Sequence, residues 1–354
     1  MSLPDLENFL FIPTSADCSQ GEIYELSASS HYSENSFVLI PYQNPQVKKP
    51  TPKFFSIQKK STIAPVFGLQ DAPVEKHILR AGTSKKNYIE NVTRLKEHIQ
   101  RGNIYEINYC IQFSTENFNI DPFNVFRQLH TLAKAPYAML FKHGDNFIIS
   151  ASPELFLKKE GSDISTKPIK GTIRRGKTPE EDALLKTSLQ NNLKERTENV
   201  MAVDVARNDL SRFAEKGTVK VNQLYTIETF ETVHQMVSTV SCKIKENTSF
   251  EKIIEDTFPM ASMTGAPKLR AMDLIDRSED FERGSYSGAM GIINEKGDYT
   301  LSVIIRSIFY NQKTKKISVA AGGAITYLSD PEKEYEECLL KAGAMLKILN
   351  ATLL

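Results

Sequence analysis

The chain has 354 residues, enough for one large domain or two ordinary ones. Hydrophobic residues make up 40% and charged residues 25%, the balance of an ordinary globular protein. With 44 Lys and Arg against 43 Asp and Glu, the net charge of +1 gives no footprint for DNA, RNA or an anionic membrane, although a local basic pocket for a small anion is still allowed. Met1 to Glu7 lacks the basic and apolar runs of a leader, and Arg306 interrupts the best apolar stretch, so no membrane span is expected. Cys18, Cys110, Cys242 and Cys338 are scattered without a Cys-x-x-Cys pair, which argues against structural zinc or a disulfide framework and points to a reducing cytoplasm.

Residues 1 to about 80 are poorly defined by pattern, with short apolar pieces such as Phe37-Val38-Leu39-Ile40 and a polar loop from Gln43 to Lys53. Ser84 then offers an N-cap for a helix with Ile89, Val92, Leu95 and Ile99 on one face, ended by Gly102. Strands are expected over Ile104 to Phe113, Pro136 to Leu140, Asn146 to Ser150 and Glu154 to Lys158. Thr178-Pro179-Glu180-Glu181 opens a helix with a capping box, and Leu185, Leu189 and Leu193 repeat at helical spacing. A helical pattern resumes from about Glu195 to Val205. The β-branched run Tyr299 to Tyr310 reads as one central strand. Ser329-Asp330-Pro331-Glu332 opens a last helix with a capping box and a buried stripe of Tyr335, Cys338, Ala342, Met345 and Leu349. Elements come in blocks without βαβ alternation. This favours an α+β fold, with large mixed or antiparallel sheets packed by helices, in a single catalytic domain over residues 1–354.

Several side chains invite chemistry, each beside a plainer role. Glu334, Glu337 and Lys341 share one helical stripe, where two carboxylates and an ammonium can hold a hard cation together with a carboxylate ligand, or can simply form intrahelical ion pairs in water. Glu198 could join Glu337 in the one or two carboxylates that magnesium takes, but alone it is an ordinary helix glutamate. Arg306, inside an apolar strand pattern, needs an anionic partner, either a structural carboxylate or that of a substrate. Gly171-Thr172 and Gly322-Gly323 are turns that let backbone N–H groups approach an anion, or ordinary tight turns. His234, in an apolar strand, is by type more often structural than catalytic. Lys170, between Ile169 and Gly171, reads by type as a surface lysine at a strand end; if buried, it gains a lowered pKa and a nucleophilic neutral amine.

The order of these pieces carries more than any one of them. With Ser152-Pro153-Glu154, Pro168-Ile169-Lys170-Gly171-Thr172, Glu198 through Arg207-Asn208-Asp209-Leu210, Val233-His234, Thr264-Gly265-Ala266-Pro267-Lys268, Tyr286-Ser287-Gly288-Ala289, Ile305-Arg306-Ser307, Gly322-Gly323-Ala324 and Glu334 to Lys341, the chain resembles the chorismate-utilising enzymes. These include anthranilate synthase component I, aminodeoxychorismate synthase component I, and the isochorismate and salicylate synthases. The resemblance is firm from about residue 85 to the end.

The resemblance implies roles. Lysine at position 170, where anthranilate synthases carry alanine, points to the aminodeoxychorismate branch. There the amine attacks ring carbon 2 of chorismate as the 4-hydroxyl leaves, and ammonia then adds at carbon 4 and expels the lysine. Glu154 matches the general acid and base, and Glu198 and Glu337 match Mg²⁺ ligands with Glu334 in support. Gly171, Thr172, Thr264, Tyr286, Arg306, Gly322, Gly323 and Lys341 match substrate contacts, and His234 a histidine near the ring. Pro259-Met260-Ala261-Ser262 and Ile173-Arg174-Arg175-Gly176 depart from the usual family wording without removing a charged catalytic group. The short N-terminal portion argues against a tryptophan-binding regulatory site. No Gly-x-Cys-x-Gly nucleophile turn occurs, so use of glutamine implies a separate glutamine amidotransferase subunit, while free ammonia could also serve. Isochorismate or salicylate synthase, then anthranilate synthase, are the enzymatic alternatives; a catalytically silent chorismate-binding subunit is the alternative of another class.

Overall fold

A computed structural model describes residues 6–64, 76–231 and 233–354. The protein is a mixed α+β fold built on one long, curled antiparallel sheet. One arm runs, in hydrogen-bonded order, through Glu106–Thr115, Lys316–Ile325, Ser307–Asn311, Asn146–Ser152, Tyr137–His143, Asn8–Pro13, Gly21–Ser29 and Lys53–Ile63. The second arm continues through Ser36–Ile40, Ala289–Ile293, Tyr299–Val303, Leu155–Glu160, Asp163–Thr166 and Val233–Lys243. Ile169–Arg174 and Lys220–Thr229 flank this last strand.

Period-two alternation makes the arms a sandwich. Phe141 and Ile148 of the first arm meet Phe37, Leu39 and Met290 of the second in an inner apolar layer. Their chain neighbours Leu140 and Ile149 face outward, under the helices Lys85–Gln100, Pro122–Ala133 and Pro331–Ile348. The helices Leu193–Ser211 and Phe250–Thr257 cover the second arm through Val203, Ala206, Leu210, Ile253 and Ile254. No helix among the described residues is long and apolar enough to cross a membrane.

The helix starts follow capping chemistry. Ser84 accepts from the Asn87 N–H, and Thr178 from that of Glu181. The last helix is capped by Asp330, which accepts from Glu332 and Lys333, and Ser329 lies one residue outside the cap. The Leu185–Leu189–Leu193 repeat does not run through one helix. Asn192 ends Pro179–Asn191 and caps the next helix through the Glu195 N–H, which leaves Leu193 exposed.

The run Tyr299 to Tyr310 is not one strand. Tyr299–Val303 belongs to the second arm and Ser307–Asn311 to the first, and the chain crosses between them at Ile304-Ile305-Arg306. Arg306 adopts φ +52°, so the crossing is a sharp corner. β-branched residues suit both halves, and composition therefore hides the break.

Phe141 sits with its ring centroid 4.7 Å from that of Phe37 and 5.2 Å from that of Phe55, at the centre of the inner layer. Replacing Phe141 with Ala is expected to cost about 3–5 kcal/mol, read as a lower midpoint in urea unfolding.

Candidate active site

Between the ends of the two arms lies a cavity of about 500 Å³, the size of a small-molecule site. Its wall includes Glu154, Lys170, Gly171, Thr172, Glu198, Tyr286, Arg306, Gly322, Glu337 and Lys341, drawn from positions far apart in the sequence.

Lys170 is buried, not at the surface. The pairing register slips between Ile169 and Thr172, and Gly171 takes φ +84°. A bulge of this kind re-aims one side chain, and here it places Lys170 on the cavity wall. A Cβ on Gly171 would lie 2.9 Å from the Glu195 carboxylate. The Lys170 ammonium is ion-paired to Glu106, itself buried on the first arm. Burial pulls the Lys170 pKa down, but the carboxylates of Glu106, Glu198 and Glu154 together outweigh it and hold the amine above its ordinary value. The resting lysine is therefore an ammonium, contrary to the neutral amine that burial alone implies.

Glu154 follows the strand Asn146–Ser152. Burial raises its carboxyl to about 7, against the pull of Lys170 and Lys341. Burial likewise raises Glu198 to about 7. Both groups can therefore hold a proton near neutrality.

Arg306 has no carboxylate within ion-pair distance among the described residues. Its Nη1 donates to the Lys341 carbonyl at 3.3 Å, and its guanidinium lines the cavity. Of the two partners open from sequence, the described residues do not supply the structural one. Lys341 donates to the Gly322 carbonyl at 2.9 Å and pairs with Glu337 at 2.6 Å. Gly323 brings the backbone close to this cluster: a Cβ there would lie 3.2 Å from Glu334 Oε2.

Glu198 and Glu334 are buried, whereas Glu337 is partly exposed. Lys194 Nζ lies 3.1 Å from Glu334 Oε1 and 3.7 Å from Glu198 Oε1, linking the two helices. Glu198 Oε1 and Glu334 Oε2 are buried without a hydrogen-bond partner. No group of three or more His, Cys, Asp or Glu side chains among the described residues is gathered as metal ligands. The orphaned carboxylate oxygens nevertheless suit a hard cation that takes one or two protein carboxylates and fills its remaining positions with water and substrate.

Three expected contacts, His234, Thr264 and Gly323, and the expected supporting ligand Glu334 are not on the cavity wall. His234 faces the other side of its strand, where Nε2 lies 3.0 Å from Asp182 Oδ1 and Nδ1 3.0 Å from Thr229 Oγ1. Strand alternation gives the cavity-facing places to Val233 and Gln235 instead. The Thr264 hydroxyl is buried and donates to the Met260 carbonyl at 3.1 Å.

Three residues escaped the sequence reading, Gln235 and Lys194 on the wall and Glu106 behind it as the partner of Lys170. Glu106 is a lone carboxylate in an apolar strand, and the reasoning applied to Arg306 would have flagged it. Gln235 lines the cavity with an unpartnered Oε1 while its Nε2 donates to Thr172 at 3.4 Å. Lys194 carried no signal, since a lysine in a first helical turn is commonplace.

The sequence profile of the family described as chorismate binding enzyme matches residues 34–347. The chain belongs to the chorismate-binding enzyme family. It is 40% identical over 264 residues to a chloroplastic aminodeoxychorismate synthase of Arabidopsis thaliana, covering 74% of this chain and 28% of that protein. It is 38% identical over 267 residues to anthranilate synthase component 1 of Acetivibrio thermocellus, covering 75% of this chain and 53% of that protein. The match thus spans about half or less of either relative. The fold superposes on the crystal structure of anthranilate synthase component I from Streptococcus pneumoniae with a TM-score of 0.74 at 25% identity, covering 90% of this chain and 82% of that one. Chorismate-binding enzymes of two different activities are therefore matched almost equally well.

The raised carboxyls have a cost in stability. With its pKa raised from 4.5 to about 7, Glu198 binds its proton more tightly in the folded state. Its contribution is full below 4.5 and is lost as pH rises through 7. In EDTA, Glu198→Gln should therefore gain on the wild type as pH is raised across this window, by up to about 3 kcal/mol in urea titrations. An unchanged gap between the two proteins from acid to neutral pH would contradict this balance.

Proposed function

We propose that this protein aminates chorismate at ring carbon 4 to give 4-amino-4-deoxychorismate, using ammonia delivered by a separate glutamine amidotransferase subunit. The observation that carries this reading is Lys170: a primary amine on the wall of the cavity, hydrogen-bonded to Glu106 and sharing that wall with Glu154.

The ammonium must first lose a proton, and the Glu106 carboxylate bonded to it is placed to take it. The freed amine forms a bond to ring carbon 2, the ring double bonds shift, and the bond from carbon 4 to its hydroxyl breaks. Protonated Glu154 gives its proton to that hydroxyl, which leaves as water. Ammonia then bonds to carbon 4, the double bonds shift back, and the bond to Lys170 breaks. Glu154 takes the proton that the new ammonium sheds, and Glu106 returns its own to Lys170. While the lysine occupies carbon 2, the incoming nucleophile is confined to carbon 4.

Arg306, without an ion-paired carboxylate among the described residues, is available to bind one on the substrate. Glu198 and Glu337, with Glu334 beside them, would hold Mg²⁺, which when bound supplies an anchor for the ring carboxylate and draws off charge.

Purified protein given chorismate, Mg²⁺ and ammonium should form aminodeoxychorismate, detected as 4-aminobenzoate after addition of a lyase. Anthranilate or isochorismate as the sole product would refute the assignment, and binding of chorismate without turnover would identify a silent subunit. Lys170→Ala leaves Glu106 buried and unpaired, so the variant is best paired with Lys170→Ala/Glu106→Gln, which removes that burden. Both should lose amination at carbon 4, and retention of it by either would remove Lys170 from the mechanism.

The acid role of Glu154 sets a direction for the pH dependence. The protonated form is needed and its carboxyl is raised to about 7, so kcat/KM should fall as pH rises through that value. A profile flat between pH 6 and 8, at about the same rate throughout, would assign the proton to another group.

A further inference from the structure

Lys194 holds a place that none of the roles above uses. It lies in the first turn of the helix Leu193–Ser211, and its ammonium reaches across to the last long helix. There it stands 3.1 Å from Glu334 Oε1 and 3.7 Å from Glu198 Oε1, with Glu337 adding to its field. Both glutamates are buried, Glu334 at 2% exposure and Glu198 at 5%. Burying two carboxylates side by side is costly unless a cation compensates them. One ammonium does so incompletely, since Glu198 Oε1 and Glu334 Oε2 are left without a hydrogen bond. Lys194 is itself about one-third exposed and hangs on a flexible four-carbon stem, so it can swing toward solvent at little cost. The other ammonium of the cluster, Lys341, is tied to Glu337 and to the Gly322 carbonyl.

We propose that Lys194 is a built-in counter-ion that neutralises Glu198 and Glu334 while no divalent cation is present and is displaced when one binds, so that it weakens divalent binding to the substrate-free protein. This rests on the reading of these carboxylates as a Mg²⁺ site. A divalent ion placed among them meets the positive charge of Lys194 at close range and has to drive it outward. The lysine thereby keeps the folded protein from depending on metal for its stability, and it leaves tight metal binding to the complex in which a substrate carboxylate adds negative charge.

The test is Mg²⁺ binding to the substrate-free protein by isothermal titration, with Mg²⁺-dependent melting as a second readout that needs no turnover. Lys194→Met keeps the stem and removes the charge. It should bind Mg²⁺ more tightly than the wild type, on the order of tenfold, and its metal-free form should melt lower and regain the loss when Mg²⁺ is added. Lys194→Arg keeps the charge and should bind Mg²⁺ as the wild type does. If the wild type binds Mg²⁺ and Lys194→Met binds it no more tightly, the counter-ion role is overturned while the metal site stands. If the wild type and Lys194→Met both fail to bind Mg²⁺ at millimolar concentration, the metal site and the counter-ion role fall together.

Discussion

The buried ion pair between Lys170 and Glu106 is the interaction on which the site depends. Glu106 belongs to the strand Glu106–Thr115 at the end of one arm, and Lys170 to the bulged edge strand of the other, so the pair ties the arms together beside the cavity. Neither charge could be buried alone. The pair also sets the chemistry available. In the resting protein the attraction of several carboxylates outweighs burial and keeps the amine protonated. A proton passing from Lys170 to Glu106 turns two charges into two neutral groups without leaving the pair. Expelling water from the cavity favours that neutral form, because the low-dielectric interior penalises the charged one. On the proposed mechanism, ligand occupancy would thus release the Lys170 amine with no external base.

The regular parts of the sandwich are chemically quiet. Its inner layer is apolar, and its outer faces are covered by helices. Two side chains of the cavity wall, Lys170 and Arg306, enter where regularity fails. The bulge at Lys170-Gly171 delivers the amine, and the corner at Ile304–Arg306, where one run of chain passes from one arm to the other, delivers the guanidinium. An amphipathic strand gives alternate residues to two faces that are already committed, one to the core and one to helices. At Lys170 and Arg306 the side chain reaches the gap between sheet ends by a local departure from that alternation, whereas Gln235 reaches it in step with its strand and Glu198, Glu337 and Lys341 reach it from helices.

This explains what could be read from the sequence. Helix starts were legible at Ser84 and Thr178 because capping is local chemistry. The strands Glu106–Thr115, Tyr137–His143, Asn146–Ser152 and Leu155–Glu160 were legible, with edges displaced by up to three residues, whereas those before Ile63 were not. The break inside Tyr299–Tyr310 was not, because both halves favour strand and only tertiary pairing decides that they serve different arms. Order along the chain recovered the wall residues Lys170, Glu154, Glu198, Arg306, Glu337 and Lys341, but not which way each side chain points. His234 and Gln235 are adjacent, and alternation requires them to face opposite ways. Only the packing of the helix Pro179–Asn191, whose Asp182 takes His234, decides which one meets the cavity. Glu106 was passed over because no compensating charge lies near it in sequence; its partner is 64 residues away.

The charge balance also bears on how one fold serves more than one reaction. The chain is about equally similar to an aminodeoxychorismate synthase and to an anthranilate synthase component, so overall similarity does not separate the two outcomes. On the proposed mechanism the residue at position 170 separates them, and a change there has a structural consequence at Glu106. With an uncharged side chain there, Glu106 would be left buried without its counter-ion, and the penalty for such a group is several kcal/mol, a large share of the roughly 5–15 kcal/mol that keeps a domain folded. A chain of this fold without the lysine must therefore also alter the residue at 106, protonate it, or bring another donor to it. On the proposed reading the chemistry therefore rests on a pair, one residue from each arm, and a change at 170 must be compensated at or around 106.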